Sequence, residues 1–337
     1  LIGEFRQIQK LLGTYIGRTQ PNGKQKGGMQ TGRDGRIHPT TTHNPSTLRS
    51  AMQDPNMQNL PRPQGPDDPA SLIRGMIVAT PGSILYARDF SGIEAKIVGY
   101  EALYPEYIRL CNLDVHSFYT AWALSQVRPG AIPTNDLPQL SWDDAKLGSR
   151  LKEIKKEFGK ERNNLYKHLV HGANFMQGAK GATDTILRMT GQFVPVSTVS
   201  RVMNVYFELF PNIRKWHGKV LAQADRDGYL RNPFGYVHRF HSVYSWEKWG
   251  NDWDKKPGPQ ANEVVAFLPQ STAAGIIKEA MLRIWDSHPD VAQFLRLLVH
   301  DELWFECPED QLEHVDSICK MEMEKPIIQM KQPPSWG

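Results

Sequence analysis

The sequence predicts an α+β fold, because a helical block is inserted between strands that carry acidic residues. ILYARD (84–89) reads as a strand running into a turn at Ser91-Gly92. RLLVHDELWFEC (296–307) reads as two strands joined at a tight turn with His300, Asp301 and Glu302 at the tip. The intervening stretch, roughly 105–225, is mostly helical, and KLGSRLKEIKKEFGKERNNLYKHL is its clearest helix.

The other elements follow in order. Residues 1–16 place Ile8, Leu11, Leu12 and Tyr15 at helical spacing, and the Gly-rich, cationic stretch 17–36 reads as loop. GRTQPNGK in that stretch is not a phosphate-binding P-loop. Gly17 and Gly23 are one residue too far apart, and Gln25 follows Lys24 where Ser or Thr is needed. Ile93, Ile97 and Val98 give a helix after the Ser91-Gly92 turn, and 262–285 gives another, interrupted by Pro269. Trp246, Trp249 and Trp253, three and four apart, fit one packed helix face better than a DNA-stacking surface.

At 337 residues the chain exceeds one ordinary domain, so two or three subdomains are expected. The balance of 40 Lys+Arg against 36 Asp+Glu carries no single-sign tail, so any nucleic-acid contact must come from clustered charge. Cys111, Cys307 and Cys319 lack metal-ligand spacing and suit free thiols in a reducing compartment, here the cytoplasm. No apolar run approaches the roughly 20 residues that span a bilayer, and no signal peptide or membrane partner is expected. Leu1 opens the chain in helical character, which suggests a piece of a longer polypeptide.

Acidic residues at strand ends matter because phosphoryl transfer from a polyphosphate needs charge neutralisation more than covalent chemistry. Two divalent ions about 3.5–4 Å apart can activate the attacking oxygen and stabilise the departing one. Magnesium wants hard oxygen ligands, so carboxylates must converge from different strands. Asp89 closes one strand, and Asp301 with Glu302 sits on a hairpin tip. Singly, such residues are more often turn residues, helix caps or solvated tips.

Three segments together are more specific. DFSGIEAKIVGYEAL (89–103), LVHDEL (298–303) and SAMQDPNMQNLPR (50–62) resemble three motifs of the family A DNA polymerases, the bacterial DNA polymerase I type. RNPFGYVHRF (231–240) and LPQSTAAGIIKEAM (268–281) add to the resemblance, which covers nearly the whole chain. It implies a template-directed DNA polymerase that adds dNTPs to a primer 3′-hydroxyl and releases pyrophosphate. By this resemblance Asp89 and Asp301 bind two Mg2+ ions, the Phe90 carbonyl completes one shell, and Glu302 supports the primer end. Glu94 packs beside the incoming sugar and excludes a 2′-hydroxyl; it also suits a helix N-terminus.

The family's nucleotide-binding helix is matched by RNNLYKHLVHGANFMQG (162–178), with Lys167 at the lysine and His171 and Phe175 at the two aromatic positions. Positions 163, 167, 171 and 175 share one helix face. Lys167 is implied in triphosphate contact and proton donation to the pyrophosphate. The family arginine falls on Asn163, with Arg162 one residue early. Either the pocket has one fewer cation, or a π-bulge brings Arg162 into line. Gly172 costs about 1 kcal/mol in a helix, which close approach of a nucleotide would explain. His171 and Met176 depart from the family pattern and suit a phage or other mobile replicon. His116, in LDVHSFY, touches the phosphates or is a plain core histidine.

Primer–template DNA and dNTPs are the implied partners of a monomer. Arg49, Gln58, Asn59 and Gln270 match residues that touch the duplex, and His300 matches one beside the primer terminus. Asn262 and Ala266 depart from the usual template-side residues. The implied architecture is a right hand with an antiparallel-sheet palm and helical fingers, its thumb largely absent. Residues 1–22 would end the thumb, 23–104 and 226–337 would form the palm, and 105–225 the fingers; any proofreading domain would precede Leu1. A two-metal nuclease could use the same carboxylates but needs neither the Lys167 face nor a sugar gate. A non-catalytic DNA-binding descendant would be expected to lose Asp89 or Asp301.

Overall fold

Asp89 ends a seven-residue strand, and the strand beginning at Glu302 runs antiparallel beside it in the computed structural model, which describes residues 5, 8–9, 11–61, 68–249 and 252–327. Along the chain come β1 (Arg18–Thr19), β2 (Gln25–Lys26), β3 (Thr40–Thr42), β4 (Ala51–Gln53), α1 (Pro69–Gly75) and β5 (Ser83–Asp89). The helical block is α2 (Ile93–Glu101), α3 (Pro105–Leu113), α4 (Val115–Val127), α5 (Asp144–Glu157), α6 (Lys167–Asn174), α7 (Ala179–Thr190), α8 (Val196–Leu209) and α9 (Pro211–Asp227). Then follow β6 (Tyr229–Arg231), β7 (Val237–Arg239), β8 (Tyr244–Trp249), β9 (Asp252–Pro257), α10 (Ala261–Ser287), β10 (Leu295–Val299), β11 (Glu302–Pro308) and α11 (Leu312–Glu324).

The chain divides into two compact units, one of residues up to Ser91 with Ala273–Ile327, the other of Gly92–Thr272. The first is built on the antiparallel sheet β10–β11–β5. Side chains alternate across a strand, so Leu303, Phe305 and Cys307 share one face. All three are fully buried with Ile277, Ala280 and Ile284 of α10 and Val315 and Cys319 of α11. Each large apolar side chain buried there contributes about 1.5–3 kcal/mol. Glu306, buried on the other face, is held by Thr80 N–H (2.8 Å) and Oγ1 (2.6 Å), Arg36 Nη1 (2.7 Å) and Arg296 Nε (3.0 Å).

The second unit is mainly helical. Asp114 caps α4 and Asp143 caps α5 through side-chain oxygens, and Pro opens α3 and α9 where its missing N–H costs nothing. Tyr107, Phe118, Tyr119, Tyr206 and Phe210 fill the core. The Tyr107 and Tyr206 hydroxyls both donate to Asn174 Oδ1 (3.1 and 2.6 Å), which satisfies polar groups that would be costly to bury alone.

Several expectations are met. The strand over 84–89, the turn at Ser91-Gly92, the helix after it and the helical middle are all present, and Cys111, Cys307 and Cys319 are free thiols. Among the described residues no helix is long and apolar enough to cross a membrane.

Others are corrected. The stretch 17–36 is not all loop: β1 and β2 pair as a short hairpin, and Thr31 bridges Ile37. Part of the expected helix over 1–16 lies outside the described residues; Leu12–Ile16 forms a π-helical turn. The long helix expected from KLGSRLKEIKKEFGKERNNLYKHL is broken at Phe158, resumes at once as the helical turn Gly159–Glu161, and continues through a π-helical turn at Arg162–Tyr166. Conversely, α10 continues through Pro269. Its flanking turns are packed, Val264, Val265 and Phe267 in one core and Ile277 and Ile284 in the other, which outweighs the lost hydrogen bond. Glu302 belongs to β11, leaving His300 and Asp301 as the turn. Trp246 and Trp253 lie on the β8–β9 hairpin, not on a helix, and both are exposed. Strand pairing to the DWDKKP segment overrode the helical spacing; the Trp249 side chain lies outside the described residues.

Candidate functional site

In the first unit, the ladder between β5 and β11 sets Glu302 directly opposite Asp89. Asp301 precedes Glu302, and its carbonyl accepts from Phe90 N–H at 3.3 Å. Residues more than 200 positions apart in sequence are thus fixed by backbone pairing at one sheet end. Asp89 is exposed, Asp301 and Glu302 are half-buried, and Phe90 packs its side chain on the core.

The turn carrying Asp301 needs support, because His300 adopts a left-handed φ of 57°. Gln58 supplies it. Its Oε1 accepts from His300 N–H (2.7 Å), and its Nε2 donates to Leu298 O (2.9 Å). Gln58 sits in the 3-10 turn Met57–Asn59, capped by Asn56 Oδ1, and the Tyr15 hydroxyl donates to Asn59 O. The Gln58 amide, expected at the duplex, is therefore buried and engaged with the hairpin at both ends. Asn59 and His300 are exposed. Arg49 is half-buried; burial lowers its pKa while the neighbouring Asp301 carboxylate raises it.

The donors at this sheet end are hard oxygens, suited to Mg2+. Among the described residues no group of three or more His, Cys, Asp or Glu closes around a metal. A magnesium site needs no such cage, since one or two carboxylates with substrate phosphates and waters suffice. Asp89, Asp301 and the Phe90 carbonyl fit that requirement.

In the second unit, Lys167 and His171, four apart on α6, are exposed on one face; Asn163 is exposed in the turn before them, and Phe175, just past the helix end, is half-buried. The His171 and Phe175 rings meet edge to face at 4.7 Å. The π-helical turn is present at Arg162–Tyr166, with Lys167 N–H bonding to Arg162 O. Arg162 is buried, and its guanidinium grips the Asp114 carboxylate (Nη2–Oδ1 2.8 Å, Nε–Oδ2 3.2 Å) and the Ser117 hydroxyl (3.0 Å). Burial alone would raise the Asp114 pKa, but Arg162 and Ser117 hold it below the usual range. His116 beside it is pushed down to about 4, first by burial, then by Arg162, with Lys167 and His171 adding to the effect against Asp114. His116, Arg162, Lys167 and His171 therefore share one electrostatic neighbourhood.

A Cβ at Gly172 would meet the Gln177 side-chain oxygen, the movable end of a flexible side chain, so local packing does not demand glycine there. Met176, where the family carries Gly, has a left-handed φ of 57°. Glu94 lies in the first turn of α2 with Oε1 buried, and Gln270 is half-buried on α10. Sequence reasoning missed Asp114 and Asn174. Asp114 was detectable as an N-cap three residues before Ser117; Asn174 carries no sequence signal, because its partners come from two distant helices.

DNA polymerase I, thermostable, of Thermus thermophilus is 27% identical over 332 residues, covering 95% of this chain. DNA polymerase I of Deinococcus radiodurans is 26% identical over 343 residues, covering 99% of it. The chain spans about a third of the length of these curated relatives, 33% and 30% respectively. A solved structure, the POL domain of Pol1 from M. smegmatis in complex with DNA primer-template and dNTP, shares the fold with a TM-score of 0.65 and 24% identity, covering 88% of this chain and 46% of that one. The family model for DNA polymerase family A matches residues 146–333, more than half of the sequence. This chain belongs to DNA polymerase family A.

Proposed function

We propose that the chain catalyses template-directed addition of dNTPs to a primer 3′-hydroxyl, releasing pyrophosphate. The observation that supports it most is the β5–β11 register, with Asp89 opposite Glu302 and Phe90 bonded to Asp301. Asp89, Asp301 and the Phe90 carbonyl would hold two magnesium ions, which when bound would supply the charge neutralisation that displacement at the α-phosphate requires.

The chain's own groups divide the remaining tasks. Lys167 contacts the triphosphate and donates a proton to the departing pyrophosphate. His116 binds phosphate as a neutral donor, consistent with its lowered pKa. Arg162 reaches phosphate only by exchanging Asp114 for it. His171 and Phe175 offer rings to the base, and Glu94 excludes a 2′-hydroxyl. Arg49, Asn59, Gln270 and His300 face primer–template, Glu302 supports the primer end, and Gln58 positions the Asp301 turn. The architecture is a right hand: 1–22 end the thumb, 23–104 and 226–337 form the palm, and 105–225 form the fingers. The chain works as a monomer on primer–template DNA and dNTPs, the molecules with which the M. smegmatis POL domain is in complex.

Incubating a labelled primer–template with dNTPs and magnesium tests this. Extension is expected, and Asp89→Asn and Asp301→Asn should each slow it by about three orders of magnitude, several kcal/mol of transition-state stabilisation. Shortening of the primer, or binding without extension, would overturn the proposal.

A further inference from the structure

The β8–β9 hairpin carries a surface with no part in the reaction above. Its register pairs Trp246 with Lys255 and Lys248 with Trp253, so these four side chains share one face with Tyr244. Trp246 is 60% exposed and Trp253 62%. They are diagonal neighbours across the ladder, close enough for one ligand to span both. The hairpin's charges are sorted between its faces. Glu247 and Asp254 oppose each other on the reverse side, where Lys256 pairs with Glu247 at 2.6 Å. On the tryptophan face Lys248 is exposed, and Lys255 sits 4.1 Å from the Tyr244 ring centre while bonding Asp225 at 2.7 Å.

The hairpin stem is stapled in place. Gly258 N–H donates to Val243 O (2.8 Å), and Gln260 Oε1 accepts from His241 N–H (2.8 Å) and Ser242 N–H (2.9 Å). A Cβ at Gly258 would lie 2.6 Å from Ser242 O, so no other residue allows this closure. The exposed indoles are thus held ready on a fixed support.

We propose that this face binds the unpaired template strand, stacking its bases on Trp246 and Trp253 while Lys248 pairs with phosphate. Two indoles, each with a lysine directly across, suit a ligand that alternates flat apolar rings with negative charge, which is the chemistry of single-stranded nucleic acid. A purely apolar protein partner would leave the exposed Lys248 without a match. Among single strands, templated synthesis always presents unpaired template, so the choice of strand rests on the proposed polymerase function.

The test is binding without dNTPs, by fluorescence anisotropy on primer–template bearing either a blunt end or a single-stranded template overhang of about ten nucleotides. Trp246→Ala/Trp253→Ala should weaken overhang binding by about tenfold or more and leave blunt-end binding unchanged. Trp246→Phe/Trp253→Phe, which keeps flat rings and guards against a misfolded hairpin, should retain most of the affinity. Lys248→Glu should weaken binding and flatten its salt dependence. Unchanged overhang affinity in the double alanine variant overturns the proposal, as does a loss of self-association in sedimentation with overhang binding intact, which would make the face an interface between copies. Overhang-dependent loss without primer extension by the parent protein would defeat the polymerase reading and leave this one standing; extension with no overhang dependence would do the reverse.

Discussion

Gln58 Oε1 accepts a hydrogen bond from His300 N–H at 2.7 Å, and the same amide donates to Leu298 O at 2.9 Å. One buried side chain thereby ties down the β10 side of the turn that presents Asp301. The left-handed backbone of His300 costs about 1–2 kcal/mol, so the turn depends on this support. Gln58→Ala should lower stability by about 2 kcal/mol in urea unfolding. Primer extension should fall mainly through kcat, because the carboxylate is displaced rather than removed. Unaltered kcat would show that the turn holds itself.

Asp114 and Arg162 form a nearly buried pair, and removing one charge strands the other. Asp114→Ala should destabilise the protein by about 3 kcal/mol. Asp114→Ala/Arg162→Met should be milder than Asp114→Ala alone, since no unpaired guanidinium remains. Equal losses in chemical denaturation would refute the coupling.

Glu306 gives a pH dependence. Burial alone would raise its pKa, but donors from Thr80, then Arg36 and Arg296, outweigh that and hold it at about 2, below its ordinary 4.5. A depressed carboxylate pKa means stability that is fully present above about 4.5 and lost as pH falls toward 2. Unfolding midpoints of the parent and Glu306→Gln should differ at neutral pH and converge across that acid window. Parallel curves throughout would show that the carboxylate charge is not what stabilises this face.

Lys167 is exposed on the row it shares with His171, and a general acid there should contribute about 10²–10⁴-fold. Lys167→Ala should slow single-turnover extension by that order, whereas Lys167→Arg should preserve dNTP affinity better than rate, because arginine does not give up its proton. A full-rate arginine variant would reduce the role to electrostatics.

Glu94 stands in the first turn of α2 with one carboxylate oxygen buried. Glu94→Ala should raise ribonucleotide incorporation relative to dNTPs by at least about tenfold, measured as the ratio of kcat/KM values. An unchanged ratio would remove it from sugar selection.

The sequence alone determined the acidic strand ends, the turn at Gly92, the helical middle and the lysine–histidine row, because each depends on neighbours a few positions away. Tertiary structure alone decided that Asp89 faces Glu302, that Gln58 grips the hairpin, that Arg162 is bound by Asp114, and that Trp246 and Trp253 lie exposed on strands. Local periodicity reports which face a residue takes if its element is known. Which distant segment pairs with it, and so whether a spacing of three and four becomes a helix or a hairpin, is fixed by hydrogen bonds and packing between residues far apart in the chain.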